Sequence, residues 1–314
     1  MPIQLVYGND LASLVPLLAG RVRASQARDP LTPVRIVVPR RGVGTYATLA
    51  LAEHAGIAAN VQTVSLTRVV DDAVAAGDVR VLSREALFVH VLSLFDDTRA
   101  LEAPELAAVR RYLAAGPDED ALVRKLSLAR AVAGLFDEYA RSRPELLDLF
   151  RRGPLGEGGE DAVWQRHLHA ALFDERGVLR AGEKPRAFPL DALALAGSAA
   201  RLPAEVLVFG LAPPPPQTSA ILARIAQSTD VTLLATNPCR EFWEDEDVAE
   251  SPLLALWGRA GKVGMRALNE LCGFAFETRF VEPSGRTLLA GFARATLAPA
   301  PPPTAPTPPE TGDR

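Results

Sequence analysis

The stretch LVYGNDLASLVPLLAG, residues 5–20, joins a short apolar run to an amphipathic one through Gly8-Asn9-Asp10. Extended back to IQLVYG, the first run reads as a buried strand closed by Gly8. Asn9 or Asp10 offers a short side-chain oxygen that can accept from the free N–H groups of a following helix. Leu11, Leu14, Val15 and Leu18 then recur at helical spacing. Pro16 is awkward inside that helix unless it lies in the first turn or makes a kink. ATP-driven enzymes place a phosphate loop in this context. Such a loop needs G-x-x-x-x-G-K-[ST]: glycines to bring N–H groups to the phosphates, a lysine for the β/γ-phosphates and a hydroxyl for magnesium. Here Gly8-Asn9-Asp10-Leu11-Ala12-Ser13 has one glycine and no lysine, and Asp10 would repel phosphate. The stretch is read as a capped βα turn with no nucleotide.

Outward from that turn, PVRIVVP (33–39) reads as a second buried strand. RRGVGTYATLALAEHAG (40–56) reads as a loop and a helix ended by Gly56, and ANVQTVSL (59–66) as a third strand. From about residue 67 to 200 the apolar spacing turns helical, in SREALFVHVLSLF (83–95), PELAAVRRYLAA (104–115), 120–150 and EDAVWQRHLHAALFDE (160–175). Strands resume at AEVLVFGL (204–211), ended by the prolines 213–216, and at DVTLLATN (230–237), with a helix between them. SPLLALWGRAGKVGMRALNELCG (251–273) reads as a last helix with a glycine-rich middle. Strands alternating with helices imply an α/β class with a doubly wound parallel sheet. Residues 1–66 and 204–290 are expected to form the sheet domain, and 67–203 an inserted helical subdomain. The Pro-, Thr- and Ala-rich residues 291–314 are expected to form a disordered tail.

Composition narrows the function classes. Hydrophobic residues make up 48% of the 314, enough for a sizeable core. The net charge of −4 is not that of a free-standing duplex-DNA binder, although a local patch can still meet DNA. The two cysteines, Cys239 and Cys272, lack CxxC spacing, which argues against a disulfide framework or a zinc site and for a reducing cytoplasm. The N-terminus has neither the positive n-region nor the apolar h-region of a secretory leader. No run approaches the about 18 apolar residues of a membrane span, so no membrane role is expected.

Most candidate chemistry reads as structure. In GRAGKVG (258–264) the residue five before Gly261 is Leu256 and Val263 replaces the hydroxyl, so it is read as a loosened helix or a helix–helix junction in which small residues allow close packing. His54, His90, His167 and His169 are scattered, and Asp71-Asp72 and EDEDVAE (244–250) read as solvated acidic runs. No G-x-S-x-G elbow is present. LFDEYARSRPELL (135–147) differs. Leu135, Phe136 and Tyr139 form an apolar seam, Asp137, Glu138, Arg141 and Arg143 a mixed-charge face, and Pro144 breaks the helix. Alone this reads as a solvated face with intrahelical ion pairs, or as an arginine–aromatic surface for a single DNA strand.

Several segments, in order, resemble the N-terminal region of the RecC family, the gamma chain of exodeoxyribonuclease V. They are GIAANV (56–61), RRYL (110–113), LFDEYARSRPELL (135–147), VWQRHLHAAL (163–172), VFGLAPPPP (208–216), LLATNPCREFWED (233–245) and SPLLALWGRAGK (251–262). The resemblance covers roughly residues 3–290. It implies a RecA-like, superfamily 1 helicase-like domain that has lost its ATPase motifs, in keeping with the missing phosphate loop. It further implies a scaffold beside a RecB-like helicase–nuclease and a RecD-like helicase in a bacterial, cytoplasmic complex that resects double-strand breaks. ATP and magnesium are expected on those partners, and no cofactor on this chain. The family's gamma chain splits double-stranded ends, conducts the single-stranded 3′ tail and, in well-studied relatives, scans it for Chi. By resemblance, Leu135, Asp137 and Arg143 stand where tunnel-lining residues stand, with Arg186 a further match. Gly134 replaces the aspartate before that leucine, and Ser65 and Asp71 stand where the family has leucine and tryptophan. DNA contact thus carries over better than recognition of the same octamer. Family members continue well past this length, so an N-terminal fragment or a truncated or shifted reading frame is expected. The rival readings are an active phosphate-loop ATPase, and an interaction module without DNA contact.

Overall fold

Strands that are apolar without alternation must be covered on both faces, and parallel neighbours must be joined through crossovers. The computed structural model, which describes residues 3–152, 160–180, 184–244 and 253–298, satisfies both demands. β1 (Gln4–Gly8), α1 (Leu11–Arg28), β2 (Val34–Val37), α2 (Arg41–Ala55), β3 (Val61–Val64) and α3 (Leu66–Val74) alternate from the start. After β4 (Arg80–Val81) the chain turns helical: α4 (Arg84–Asp96), α5 (Thr98–Leu101), α6 (Ala107–Leu113), α7 (Ala121–Ser142), α8 (Pro144–Arg152) and α9 (Glu160–Leu172). It returns through β5 (Arg186–Ala187) and α10 (Pro189–Ala196) to β6 (Glu205–Leu211), α11 (Pro216–Ile225) and β7 (Asp230–Thr236). A π turn at Leu254–Gly258 leads into α12 (Arg259–Leu271), and β8 (Phe276–Thr278) and α13 (Leu288–Leu297) follow.

The described strands form a six-stranded sheet in the order β3-β2-β6-β7-β1-β8, and its pairs run parallel. Alternate residues serve opposite faces. Leu5 and Tyr7 of β1 and Val206 and Val208 of β6 pack with α3, α10, α11 and α12. Val6, Leu207 and Phe209 pack with Leu14, Leu18 and Val22 of α1 and Leu51 of α2. Each such buried side chain stabilises the fold by about 1.5–3 kcal/mol. A third core, from Leu82 to Phe188, belongs to the helical region: Leu87 and Val91 of α4, Phe136 of α7, Phe150 of α8 and Leu168 of α9. α3 and α10 lie within the 67–203 range but share the sheet's core through Val70 and Leu193.

Pro16 lies within α1, beyond its first turn, and is exposed, so the carbonyl it leaves unpaired one turn earlier faces water. Three sequence expectations need correction. β4 and β5 pair inside the region read as helical. β8 was not foreseen; its three residues are intermediate or exposed and Phe276 is the one apolar residue among them. Residues 288–297 are helix, capped by the Thr287 hydroxyl that accepts from Ala290 N–H at 3.1 Å, so the expected tail cannot begin at 291. Residues 299–314 lie outside the described residues.

His169 sits in the helical core, its ring 5.7 Å from Phe136, 5.9 Å from Phe150 and 4.7 Å from Phe173. Burial, then the nearby Arg151 charge, lowers its pKa from 6.5 to about 3. The unfolded chain therefore binds more protons between those values. The stability from the neutral buried ring is full above pH 6.5 and declines as pH falls towards 3, by up to about 1.4 kcal/mol per pH unit. Urea midpoints are expected to drop between pH 7.5 and pH 5, and His169→Phe to flatten that drop. An equally steep profile in the variant would show that other groups carry it.

Candidate nucleic-acid interface

The turn after β1 is closed to phosphate. Asp10 caps α1 by accepting from Ala12 N–H at 3.1 Å, and the Ser13 hydroxyl donates to the Asp10 carbonyl at 2.7 Å. A Cβ on Gly8 would lie 2.7 Å from Ser13 Oγ, so the space above this glycine is filled by its own helix. Asn9 is engaged elsewhere. Its amide donates to Val281 C=O and its oxygen accepts from Val281 N–H, both at 2.8 Å. A carboxylate thus occupies the helix N-terminus that an anion would use.

The glycines of GRAGKVG serve packing. A Cβ at Gly258 would lie 2.6 Å from the Trp243 ring, at Gly261 3.2 Å from the Pro213 side chain, and at Gly264 2.9 Å from the Pro213 carbonyl carbon. Their spacing of three puts them along one side of α12, against a tryptophan and a proline loop rather than a second helix. Trp243 is held by Asn237, whose oxygen accepts from the indole N–H at 2.9 Å and from Cys239 N–H at 3.1 Å. Beside it, Tyr7 O–H donates to Asn269 at 2.8 Å, and Asn269 donates to Glu244. Burial raises the Tyr7 phenol far above its ordinary range, so it remains a donor. Glu244 is part of this buried network; the rest of the acidic run, 245–250, lies outside the described residues. Among the described residues no group of His, Cys, Asp and Glu is arranged to hold a metal ion.

The LFDEYARSRPELL segment spans the end of α7 and the first four residues of α8. Phe136 is fully buried, Leu135 half-buried, and Tyr139 O–H donates to Gln165 at 2.9 Å. Asp137 is bound by Arg141 at 2.9 Å, and Arg141 also meets Glu138 at 3.3 Å, the i,i+4 and i,i+3 pairs of an exposed helix face. Arg143 ends α7 at φ −143°, ψ 58°, its N–H donating to Tyr139 C=O at 2.8 Å, and Pro144 begins α8. The Arg143 side chain is exposed and makes no hydrogen bond or ion pair among the described residues. Leu135, Asp137 and Arg143 therefore share one helix end. Arg186 stands apart on the small sheet, paired with Arg80, and its charge joins burial in lowering the pKa of His90 on α4.

Sequence reasoning missed the other side of α7. α4 and α7 run antiparallel, with Arg84 against Gly134 and Phe88 against Arg130. A Cβ on Gly134 would lie 2.5 Å from Arg84 Nη2, so the guanidinium occupies the space a side chain would take. Arg130 stands 5.8 Å over the Phe88 ring, a cation–π contact. Each pair is spaced i,i+4 within its own helix, but the register between helices is not written in either.

A sequence model described as RecC, N-terminal domain, matches residues 3–298. The chain belongs to the RecC N-terminal domain family. It is similar to the RecBCD enzyme subunit RecC of Escherichia coli K12, 28% identical over 259 residues that cover 77% of this chain and 22% of that protein. The corresponding subunit of Haemophilus influenzae is 24% identical over 268 residues, 76% of this chain and 24% of its own. That of Mycobacterium tuberculosis H37Rv is 28% identical over 238 residues, 71% and 21%. The chain thus matches under a quarter of the length of these curated relatives. Of the segments that carry the RecC resemblance, VFGLAPPPP and TNPCREFW supply the prolines, Asn237 and Trp243 that pack on α12. The departures are structural too: Ser65 caps α3 through Arg68 N–H at 3.1 Å, and Asp71 meets Arg68 at 3.8 Å.

Two measurements check these assignments. Gly264→Ala should cost about 1–3 kcal/mol in urea unfolding, because the methyl meets proline backbone. Gly20→Ala, in the open on α1, should instead stabilise by about 0.4–1 kcal/mol; equal effects would contradict the packing role. Asp10→Ala should cost about 1 kcal/mol as a lost cap. ATP with magnesium should leave the melting temperature of both the parent and this variant unchanged, and a nucleotide-dependent rise in the parent would overturn the closed-turn reading.

Proposed function

We propose that the chain is the N-terminal part of a RecC-type subunit that guides DNA for motors carried on other chains. In this reading residues 1–66 and 204–290 form a RecA-like, superfamily 1 helicase-like body without an ATPase site, and 67–203 the helical insertion. The partners are a RecB-like helicase–nuclease and a RecD-like helicase, which bring ATP and magnesium. The substrates are double-stranded ends and the single strands drawn from them, in a bacterial cytoplasm. The match to the RecC N-terminal domain over residues 3–298 carries the proposal. The capped turn at Asp10 supports a body that does not turn over ATP.

Single-strand contact is assigned to Leu135, Asp137 and Arg143, with Arg186 as a second, separate contact. Leu135 offers an apolar edge to a base, and Arg143 a guanidinium with no protein partner among the described residues. Asp137 holds Arg141 upright on the same face. One observation favours an interaction module without DNA contact: the Arg141 pairs already neutralise the charges of α7 that a solvated helix would neutralise.

Oligothymidylate binding followed by fluorescence anisotropy separates the two. Binding should be weak and salt-sensitive, and Arg143→Ala should lower the slope of log K against log salt by about 0.7 for one lost phosphate contact. ATP hydrolysis should stay at background with DNA present. Unchanged affinity and slope in Arg143→Ala would favour the interaction module, and DNA-stimulated turnover would return the chain to the ATPases.

A further inference from the structure

The α4–α7 face carries two guanidinium groups and an aromatic ring, those of Arg84, Arg130 and Phe88. Arg84 and Arg130 are exposed, and neither has a carboxylate partner among the described residues. The acids that follow on α7, Asp137 and Glu138, are held by Arg141. Lys125, at the far end of the same helix pair, is held by Asp96. Glu85 lies in the first turn of α4, where the free N–H groups complement it. Arg84 lies in that turn too, where a cation is disfavoured, yet its side chain reaches across to α7.

The absence of a side chain at Gly134 makes that reach possible. The guanidinium lies in the glycine's empty volume, against α7. One turn earlier on α7, and one turn later on α4, Arg130 is held over Phe88. The antiparallel register therefore places the two arginine contacts four residues apart along each helix, about 6 Å of rise, with a half-buried aromatic ring beneath one of them. A planar cation with an open outer face binds phosphate through its edge and stacks a base on its plane.

We propose that this face is a second single-strand contact, in which Arg84 and Arg130 hold adjacent backbone phosphates and the Arg130–Phe88 pair supports a base. The proposal rests on the DNA-guiding reading above and adds residues that the family resemblance did not supply. It lies on the α4 side of α7, whereas Arg143 lies at the helix's end, so the two can be tested apart.

The test uses the 314-residue chain and a fluorescein-labelled oligothymidylate at low salt, with thermal melts confirming that each variant folds. Arg84→Gln and Arg130→Gln should each weaken binding about tenfold. Each should also lower the salt slope by about 0.7. Phe88→Leu, which keeps apolar volume, should weaken binding with the slope retained. Arg23→Gln, which removes an exposed arginine on α1, should leave affinity within about twofold, as a general loss of one distant charge does. Gly134→Ala keeps every charge and raises helix propensity, yet its methyl displaces Arg84. It should weaken binding at an unchanged or higher melting temperature. If Arg84→Gln and Arg130→Gln match Arg23→Gln while Arg143→Ala still weakens binding, the second contact is refuted and the DNA-guiding reading stands. If the parent chain binds no oligothymidylate at low salt, the DNA reading fails and the second contact with it.

Discussion

The common direction of the six strands is the constraint on which the rest of the molecule depends. Parallel neighbours cannot be joined by hairpins, and neither face of the sheet can be left to water. Each connection must therefore cross a face with a helix, and the two helical layers follow. The connection between β3 and β6 is the long one, and it carries the helical region with its separate core. α3 and α10, which begin and end that excursion, pack on the sheet, so the helical region is anchored at both ends by the layer it leaves.

A second level of order lies where the C-terminal ends of β1, β6 and β7 meet α12. Asn237 joins the levels: its N–H donates to Gly8 C=O at 3.0 Å, and its side chain holds Cys239 and Trp243. Trp243 and the prolines then press on the glycine side of α12. Two of the segments that carry the RecC resemblance, VFGLAPPPP and LLATNPCREFWED, are thus close-packing segments. They hold the fold together without marking chemistry.

How much was legible in the sequence follows from burial. β1, β2, β6 and β7 show as apolar runs because both their faces are covered. β8, with Phe276, Glu277 and Thr278 at the sheet's edge, has no such run. The Gly8–Asp10 turn was legible because capping depends on the residue itself and its neighbours. The end of α7 was legible for the same reason: Asp137 and Arg141 are one turn apart, and Pro144 must stop a helix. The pairing of Arg84 with Gly134 was not, because a glycine in a helix reports only its own cost. What fills its space comes from a helix some 50 residues away, in a register set by the packing of Leu87 and Val91 against α7.

The side chain of Asn9 extends the sheet. β1 and β8 pair through Tyr7, whose carbonyl accepts from Arg279 N–H at 2.6 Å. Two residues on, the Asn9 amide presents a donor and an acceptor to Val281 as a peptide group would, so the ladder gains a rung made by a side chain. A nucleotide-binding turn needs glycine and free backbone amides at such positions, and glycine at residue 9 would remove both bonds of that rung together. The edge of the sheet and an anion cradle are competing uses of one residue, and here the choice has gone to the edge.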